Sequence, residues 1–70
     1  MKNIRQVTSD ALREVIRRSG KTRAKFEKDM GFSEGYIYMP LKQGCSFYCI
    51  QRICLAEKMS YSDFMKLGEE

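Results

Sequence analysis

The sequence predicts an all-α domain built from five short helices. Apolar residues recur three and four positions apart along most of the chain, which places them on one helical face. No run alternates apolar and polar residues in the way that a half-buried strand does. With 70 residues, the chain is near the lower limit for folding without disulfides or a metal. We therefore expect residues 1–70 to form a single domain.

The first helix is predicted from about Asn3 to Arg18. Gly20 follows it at the position where a left-handed C-terminal cap is common. Its apolar stripe consists of Ile4, Val7, Ala11, Leu12, Val15 and Ile16. This stripe is expected to face the core.

Two shorter helices are predicted next, joined by the tripeptide "GFS". Thr22 is a typical N-cap before "RAKFEKDM", in which Phe26 and Met30 lie four residues apart on one face. Gly31 is expected to end this second helix. Ser33 is a typical N-cap for a third helix, which "KQG" closes.

The proline in "SEGYIYMPLKQG" conflicts with an uninterrupted third helix. If Ser33 is the N-cap, Pro40 is about the seventh helical residue, where its missing N–H would have bonded to the carbonyl of Tyr36. Its ring also disfavours a helical conformation at Met39. We therefore predict that the third helix stops or kinks near Tyr38 or Met39.

The fourth and fifth helices are predicted from capping signals. Ser46 can cap "FYCIQRICLAEK", and the pairing of Ser60 with Asp63 is typical of a helix start. The inner faces are predicted to carry Phe47, Ile50, Ile53, Cys54 and Ala56 in the fourth helix, and Phe64, Met65 and Leu67 in the fifth.

The composition argues against an enzyme. The chain has no histidine, the commonest general base and metal ligand. Cys45, Cys49 and Cys54 lack a fourth ligand and the usual pair spacing of a zinc site, and they show no base partner. We expect them to be small apolar core residues in a reducing cytoplasm, and we expect no catalytic residue, metal or cofactor. The N-terminal residues lack the apolar run of a secretory signal, and no segment is apolar enough for a membrane span.

Positive charge is concentrated in the N-terminal part of the chain. Residues 1–28 contain nine basic and three acidic residues, a net charge of +6, whereas residues 29–70 contain four basic and six acidic residues, a net charge of −2. Such asymmetry is typical of a face that attracts a polyanion. A solvated surface with many lysines and arginines would show the same pattern.

A short helix, a glycine-containing turn and a second short helix form the unit that sets one helix into the major groove of DNA. The segment "TRAKFEKDMGFSEGYI" carries this pattern, and the unit is predicted at about residues 22–41. From about Ala11 to Phe64 the chain resembles the Cro/C1-type (XRE-like) helix-turn-helix regulators of bacteria and phages. The segment "LREVIRRSGKTRAKFEKDMGFSEGYI" resembles their first three helices and "SFYCIQRICLAEKMSYSDFMKL" their fourth and fifth.

The resemblance implies a compact five-helix, lambda-repressor-like fold and a small transcriptional regulator, of the repressor type, that binds specific double-stranded DNA, often as a homodimer. It implies that Arg23 approaches a phosphate and that Lys42 meets the flanking backbone. The complete set of predicted DNA-binding residues is Lys21, Thr22, Arg23, Lys25, Ser33, Glu34, Gly35, Tyr38, Lys42 and Gln43.

Glu27 departs from the pattern of the family, which usually has a small residue at this position facing the recognition helix. We expect either that the second and third helices pack farther apart or that the carboxylate turns outward.

Two further hypotheses remain open. The scaffold could serve as a protein-interaction module, antirepressor-like or accessory, with Tyr36, Tyr38 and Met39 as an exposed apolar patch. A homodimer could use the outer face of the fourth helix with the end of the fifth, although the fifth helix could equally close the core. The residues of that dimer patch would be Tyr48, Arg52, Leu55, Phe64, Met65 and Leu67.

Overall fold

The computed structural model describes residues 2–69, which contain five α-helices and no strand. This confirms the predicted all-α class. The first helix begins and ends one residue later than expected, with Asn3 as its N-cap. The helices are α1 (Ile4–Ser19), α2 (Arg23–Met30), α3 (Tyr38–Gln43), α4 (Phe47–Glu57) and α5 (Tyr61–Glu69).

Local capping signals set most of the helix boundaries. The side-chain oxygens of Thr22, Ser46 and Ser60 each accept the backbone N–H three residues later, at 3.1 to 3.2 Å. Gly20 and Gly31 adopt left-handed conformations, with φ of 71° and 79°, directly after α1 and α2. These five predictions are confirmed.

The core contains side chains from all five helices, and α1 makes its most extensive contacts with α5 and α3. Its largest fully buried side chains include Leu12, Phe26, Ile37, Ile53 and Phe64. Two predicted inner faces need correction, because Ile4 in α1 and both Phe47 and Ala56 in α4 are exposed.

A set of hydrogen bonds holds the C-terminal end of α3 on α1. The Ser9 hydroxyl donates to the carbonyl of Leu41, and Arg13 Nη2 donates to the same oxygen at 3.4 Å. Just beyond α3, the backbone N–H of Cys45 donates to the Thr8 hydroxyl at 2.9 Å. These contacts satisfy buried polar groups and fix the loop between α3 and α4.

The three cysteine side chains lie in the core or at its edge. Cys49 and Cys54 are buried and Cys45 is half-buried. A hydrogen bond with the Cys49 thiol and burial both raise the pKa of Cys45, and burial raises the pKa of Cys54. Because the thiolate is the nucleophilic form, these shifts disfavour the reactive form of Cys45 and Cys54. The hydrogen bond with Cys45 lowers the pKa of Cys49.

No helix within residues 2–69 combines the length and the apolar character needed to cross a membrane.

Gly68, which is buried, brings the backbone of α5 against the backbone of α1. A Cβ atom built at this glycine would overlap the carbonyl oxygen of Val7 and lie 2.7 Å from its carbonyl carbon. The Lys2 ammonium donates to the Gly68 carbonyl at 2.8 Å on the same side of the fold. The end of α5 can therefore dock on α1 only because residue 68 lacks a side chain.

We predict that Gly68→Ala lowers the free energy of unfolding by about 1–3 kcal/mol, because the added methyl forces the two backbones apart. Helix propensity alone predicts the opposite sign, a gain of up to about 1 kcal/mol. Urea denaturation compares the two directly, with Ser62→Ala on the exposed side of α5 as the control. A stabilised Gly68→Ala variant would contradict the close packing.

Acid is predicted to weaken an ion-pair network on α1. The hydrogen bond from Arg17 to Glu14, with help from Arg18, lowers the pKa of Glu14 from 4.5 to about 2. Because the pKa of the folded state is depressed, the stabilisation is present above about pH 4.5 and is lost as the pH falls towards 2.

Replacing Glu14 with Gln should therefore flatten the fall in unfolding free energy over that pH range, measured by urea denaturation. The same change at the exposed Glu57, which makes no ion pair within residues 2–69, serves as the control. Parallel pH profiles for wild type and Glu14→Gln would refute the assignment.

Candidate nucleic-acid interface

The connection between α2 and α3 is longer than the predicted tripeptide. Residues 31–37 form a series of turns, in which the N–H of Tyr36 donates to the carbonyl of Ser33 at 3.0 Å and that of Tyr38 to Gly35 at 3.2 Å. The third helix begins only at Tyr38, and its N-cap makes no side-chain hydrogen bond. The prediction that Ser33 caps the third helix is therefore wrong.

The prediction that Pro40 stops or kinks the third helix is also wrong. Because α3 begins at Tyr38, Pro40 is its third residue and lies in the first turn. An N–H in that turn has no intrahelical carbonyl to bond with, so proline costs little there. Its ring is buried, and Leu41 continues the helix by donating its N–H to the carbonyl of Ile37 at 3.0 Å.

The turn is held by the buried carboxylate of Glu27. This side chain is only 5% exposed, and its two oxygens accept the backbone N–H groups of Gly35 at 3.0 Å and Ile37 at 3.1 Å. The expectation that the carboxylate turns outward is wrong, because it turns inward and ties α2 to the turn before α3. The expectation of a wider spacing between α2 and α3 stays a prediction. Where the family usually has a small side chain, this chain has a carboxylate that the backbone N–H groups of the turn satisfy.

The ten predicted DNA-binding residues are all exposed to solvent. They lie on three segments, residues 21–25, 33–38 and 42–43. Glu34, Gly35 and Gln43 line one open cleft of about 450 Å³ beside α3, so the structure brings the second and third segments together. A further open cleft of about 450 Å³ is lined by Ala24, in the first turn of α2, and by Glu34, so it joins the first segment to the second.

Two of the predicted DNA-binding residues already have an anionic partner. Lys21 and Lys25 form ion pairs with Asp29, at 2.6 and 3.4 Å. Hydrogen bonds from these lysines, chiefly Lys21, lower the pKa of Asp29. Within residues 2–69, by contrast, Arg23 and Lys42 make no ion pair, so their charge is available to an external anion.

An aromatic cluster stabilises the turn on its other side. The rings of Phe32 and Tyr36 stack with centroids 4.5 Å apart, and Tyr48 from α4 packs against both at 6.4 Å. Tyr36 is half-buried, so it does not belong to an exposed patch as the protein-interaction hypothesis requires. Tyr38, which is 60% exposed, and Met39 lie outside the cluster.

The predicted dimer patch is only partly on the surface. Leu55 is 70% exposed, as expected, but Phe64 is fully buried because α5 closes the core. The Arg52 guanidinium donates to the carbonyl of Met30 at 2.8 Å and so caps the end of α2. A surface pair that the sequence analysis missed is formed by Phe47 and Tyr61, with ring centroids 5.6 Å apart.

Comparisons with protein-family models, with curated proteins and with solved structures returned no match to this chain. The resemblance to Cro/C1-type regulators stays a prediction from the residues.

We predict that Glu27→Gln lowers the free energy of unfolding by about 1–3 kcal/mol, because the amide replaces one of the two accepting oxygens with an NH2 group, which cannot accept an N–H. Glu27→Ala should cost more, since both donors lose their partner. Urea denaturation measures the loss, and hydrogen exchange at Ile37 should accelerate.

The matched control is Glu34→Gln, the same change on an exposed side chain of the turn. It should stay within about 0.5 kcal/mol of wild type. Equal stability of the Glu27 and Glu34 variants would show that the two hydrogen bonds do not hold the turn.

Proposed function

We propose that the chain binds double-stranded DNA through the turn before α3 and acts as a small transcriptional regulator of the Cro/C1 helix-turn-helix type. The observation that carries the proposal is the anchoring of Gly35 and Ile37 by Glu27. This anchor leaves Glu34 and Tyr38 exposed on a fixed backbone. A surface held in one conformation suits a rigid groove, because little conformational entropy is lost on binding.

Phosphate contacts supply most of the affinity in this proposal. Arg23 lies in the first turn of α2, where the helix dipole also favours an anion, and Lys42 lies near the end of α3. Neither has an ionic partner among residues 2–69, so neither must break an ion pair to meet a phosphate. Lys21 and Lys25 contribute less, because their charge is shared with Asp29.

Base readout would be modest. Glu34 can accept a hydrogen bond from the amino group of a cytosine, and Tyr38 can offer a hydroxyl and a ring face. Gly35 allows the backbone to approach the DNA but contributes no side chain. This division of labour is the usual one, in which phosphate contacts position a protein and base contacts specify the site.

The alternative function is a protein-interaction module on the same scaffold. It is favoured by the exposure of Tyr38 and Met39, because aromatic residues and methionine are enriched in protein interfaces. Met39 also lines the open cleft beside α3. We prefer DNA because unpaired cations flank this surface, whereas the apolar patch is reduced to two side chains by the burial of Tyr36.

We predict that binding to a random duplex weakens steeply as salt rises, with a slope of log K against log salt that is shallower by about one unit in Arg23→Ala. Fluorescence anisotropy at several salt concentrations measures both slopes. Lys66→Ala in α5, which removes the same charge from an exposed helix position, is the matched control and should keep the wild-type slope.

Absence of duplex binding at low salt would overturn the proposal. In that case, binding of a protein partner that is lost in Tyr38→Ala would support the alternative. Selection from a random DNA pool would then define the operator and the spacing of half-sites for a chain that does bind.

A further inference from the structure

A basic cleft lies between the N-terminal half of α1 and the C-terminal end of α3. It is open to solvent and has a volume of about 620 Å³. Its lining contains three cations and no carboxylate. The lining residues are Asn3, Arg5, Gln6, Ser9, Arg13, Leu41, Lys42 and Gln43.

The three cations differ in how much of their charge is already neutralised. Arg13 pairs with Asp10 at 3.1 Å and donates to the carbonyl of Leu41, so it is held in place. Arg5 and Lys42 make no ion pair within residues 2–69. The cleft therefore joins a predicted DNA-binding residue, Lys42, to an arginine of α1 that the sequence analysis did not select.

The position of Arg5 is unfavourable for the free protein. It lies in the first turn of α1, which contains no acidic residue, and a cation there is repelled by the positive end of the helix dipole. Its backbone packs tightly, since a Cβ at Gly44 would lie 2.8 Å from the Arg5 Cα. An alanine could make the same backbone contact, so packing does not explain the guanidinium.

We propose that this cleft holds a backbone phosphate of the bound DNA duplex, with Arg5 and Lys42 as its cationic ligands. The inference rests on the proposed function and extends it from the α2–α3 unit to α1. The amide side chains of Gln6 and Gln43 line the same cleft and can donate further hydrogen bonds to phosphate oxygens.

The geometry of α1 sets the size of the site. Arg5 lies near the beginning of α1 and Arg23 lies just beyond its end. A helix of 16 residues is about 24 Å long at a rise of about 1.5 Å per residue. A duplex that lies parallel to α1 would therefore extend over about seven base pairs along the length of this helix, at about 3.4 Å per step.

The test compares Arg5→Ala with Arg17→Ala in the full chain. Both remove an arginine from α1, but Arg17 is paired with Glu14 and does not line the cleft. Arg5→Ala should make the salt slope shallower by about one unit and weaken duplex binding about five-fold near 0.15 M salt. Its urea midpoint should equal or exceed that of wild type, because an unfavourable charge is removed. Arg17→Ala should keep the wild-type slope.

Phosphate ethylation interference on a selected duplex locates the contact. Arg5→Ala should lose interference at one edge of the footprint and Arg23→Ala at the other. If wild type binds and Arg23→Ala behaves as proposed, but Arg5→Ala has the same salt slope as Arg17→Ala, the phosphate site in this cleft is refuted and the proposed function stands. If wild type binds no duplex, both are overturned.

A titration with inorganic phosphate alone distinguishes a free anion from the DNA backbone. Saturable shifts of the Gln6 and Gln43 amide signals without DNA would indicate a site for free phosphate and overturn the assignment to the duplex. Shifts that appear only with duplex support it.

Discussion

Two hydrogen bonds to one buried carboxylate determine where the third helix begins. Glu27 accepts the N–H groups of Gly35 and Ile37, and so supplies from α2 the cap that residues next to α3 do not provide. Hydrogen bonds to a charged acceptor are stronger than neutral ones, and the burial of Glu27 limits competition from water. These two hydrogen bonds fix the positions of the exposed residues around this turn.

The distribution of ion pairs divides the basic residues into two groups. Asp10, Glu14 and Asp29 hold Lys2, Arg13, Arg17, Arg18, Lys21 and Lys25 in surface ion pairs. The net charge of +6 over residues 1–28 therefore overstates the number of cations available to a ligand. Arg5 and Arg23 make no ion pair within the described part of the chain, and this is why they carry the functional proposals.

The sequence was sufficient wherever a boundary depends on nearby residues. Thr22, Ser46 and Ser60 cap their helices through atoms three residues away, and Gly20 and Gly31 stop theirs through their own conformation. Such signals act within one turn and can be read from a short window.

The errors come from contacts between residues that are distant in the chain. Serine is a common N-cap residue, but Ser33 does not cap the third helix. Glu27, eight residues before Gly35, accepts the backbone N–H groups of the turn instead. That displacement moves Pro40 from the middle of the third helix to its first turn. Gly68 shows the same limit, because its role depends on Val7, which lies 61 residues away in the chain.

The candidate site could be predicted only in part. The exposure of the ten predicted site residues followed from their polarity. The ion pair of Lys25 with Asp29 could be anticipated from their spacing of four residues, but that of Lys21 with Asp29 could not.

The ring of Pro40 also affects the unfolded chain. A proline in the first turn of a six-residue helix removes backbone freedom that the disordered segment would otherwise have, so less entropy is lost when α3 forms. The helix is then assembled before any partner arrives, and association need not wait for it to fold. In the proposed binding to DNA, encounter would be limited by diffusion and orientation, and the heat capacity change of binding would reflect the contact surface alone.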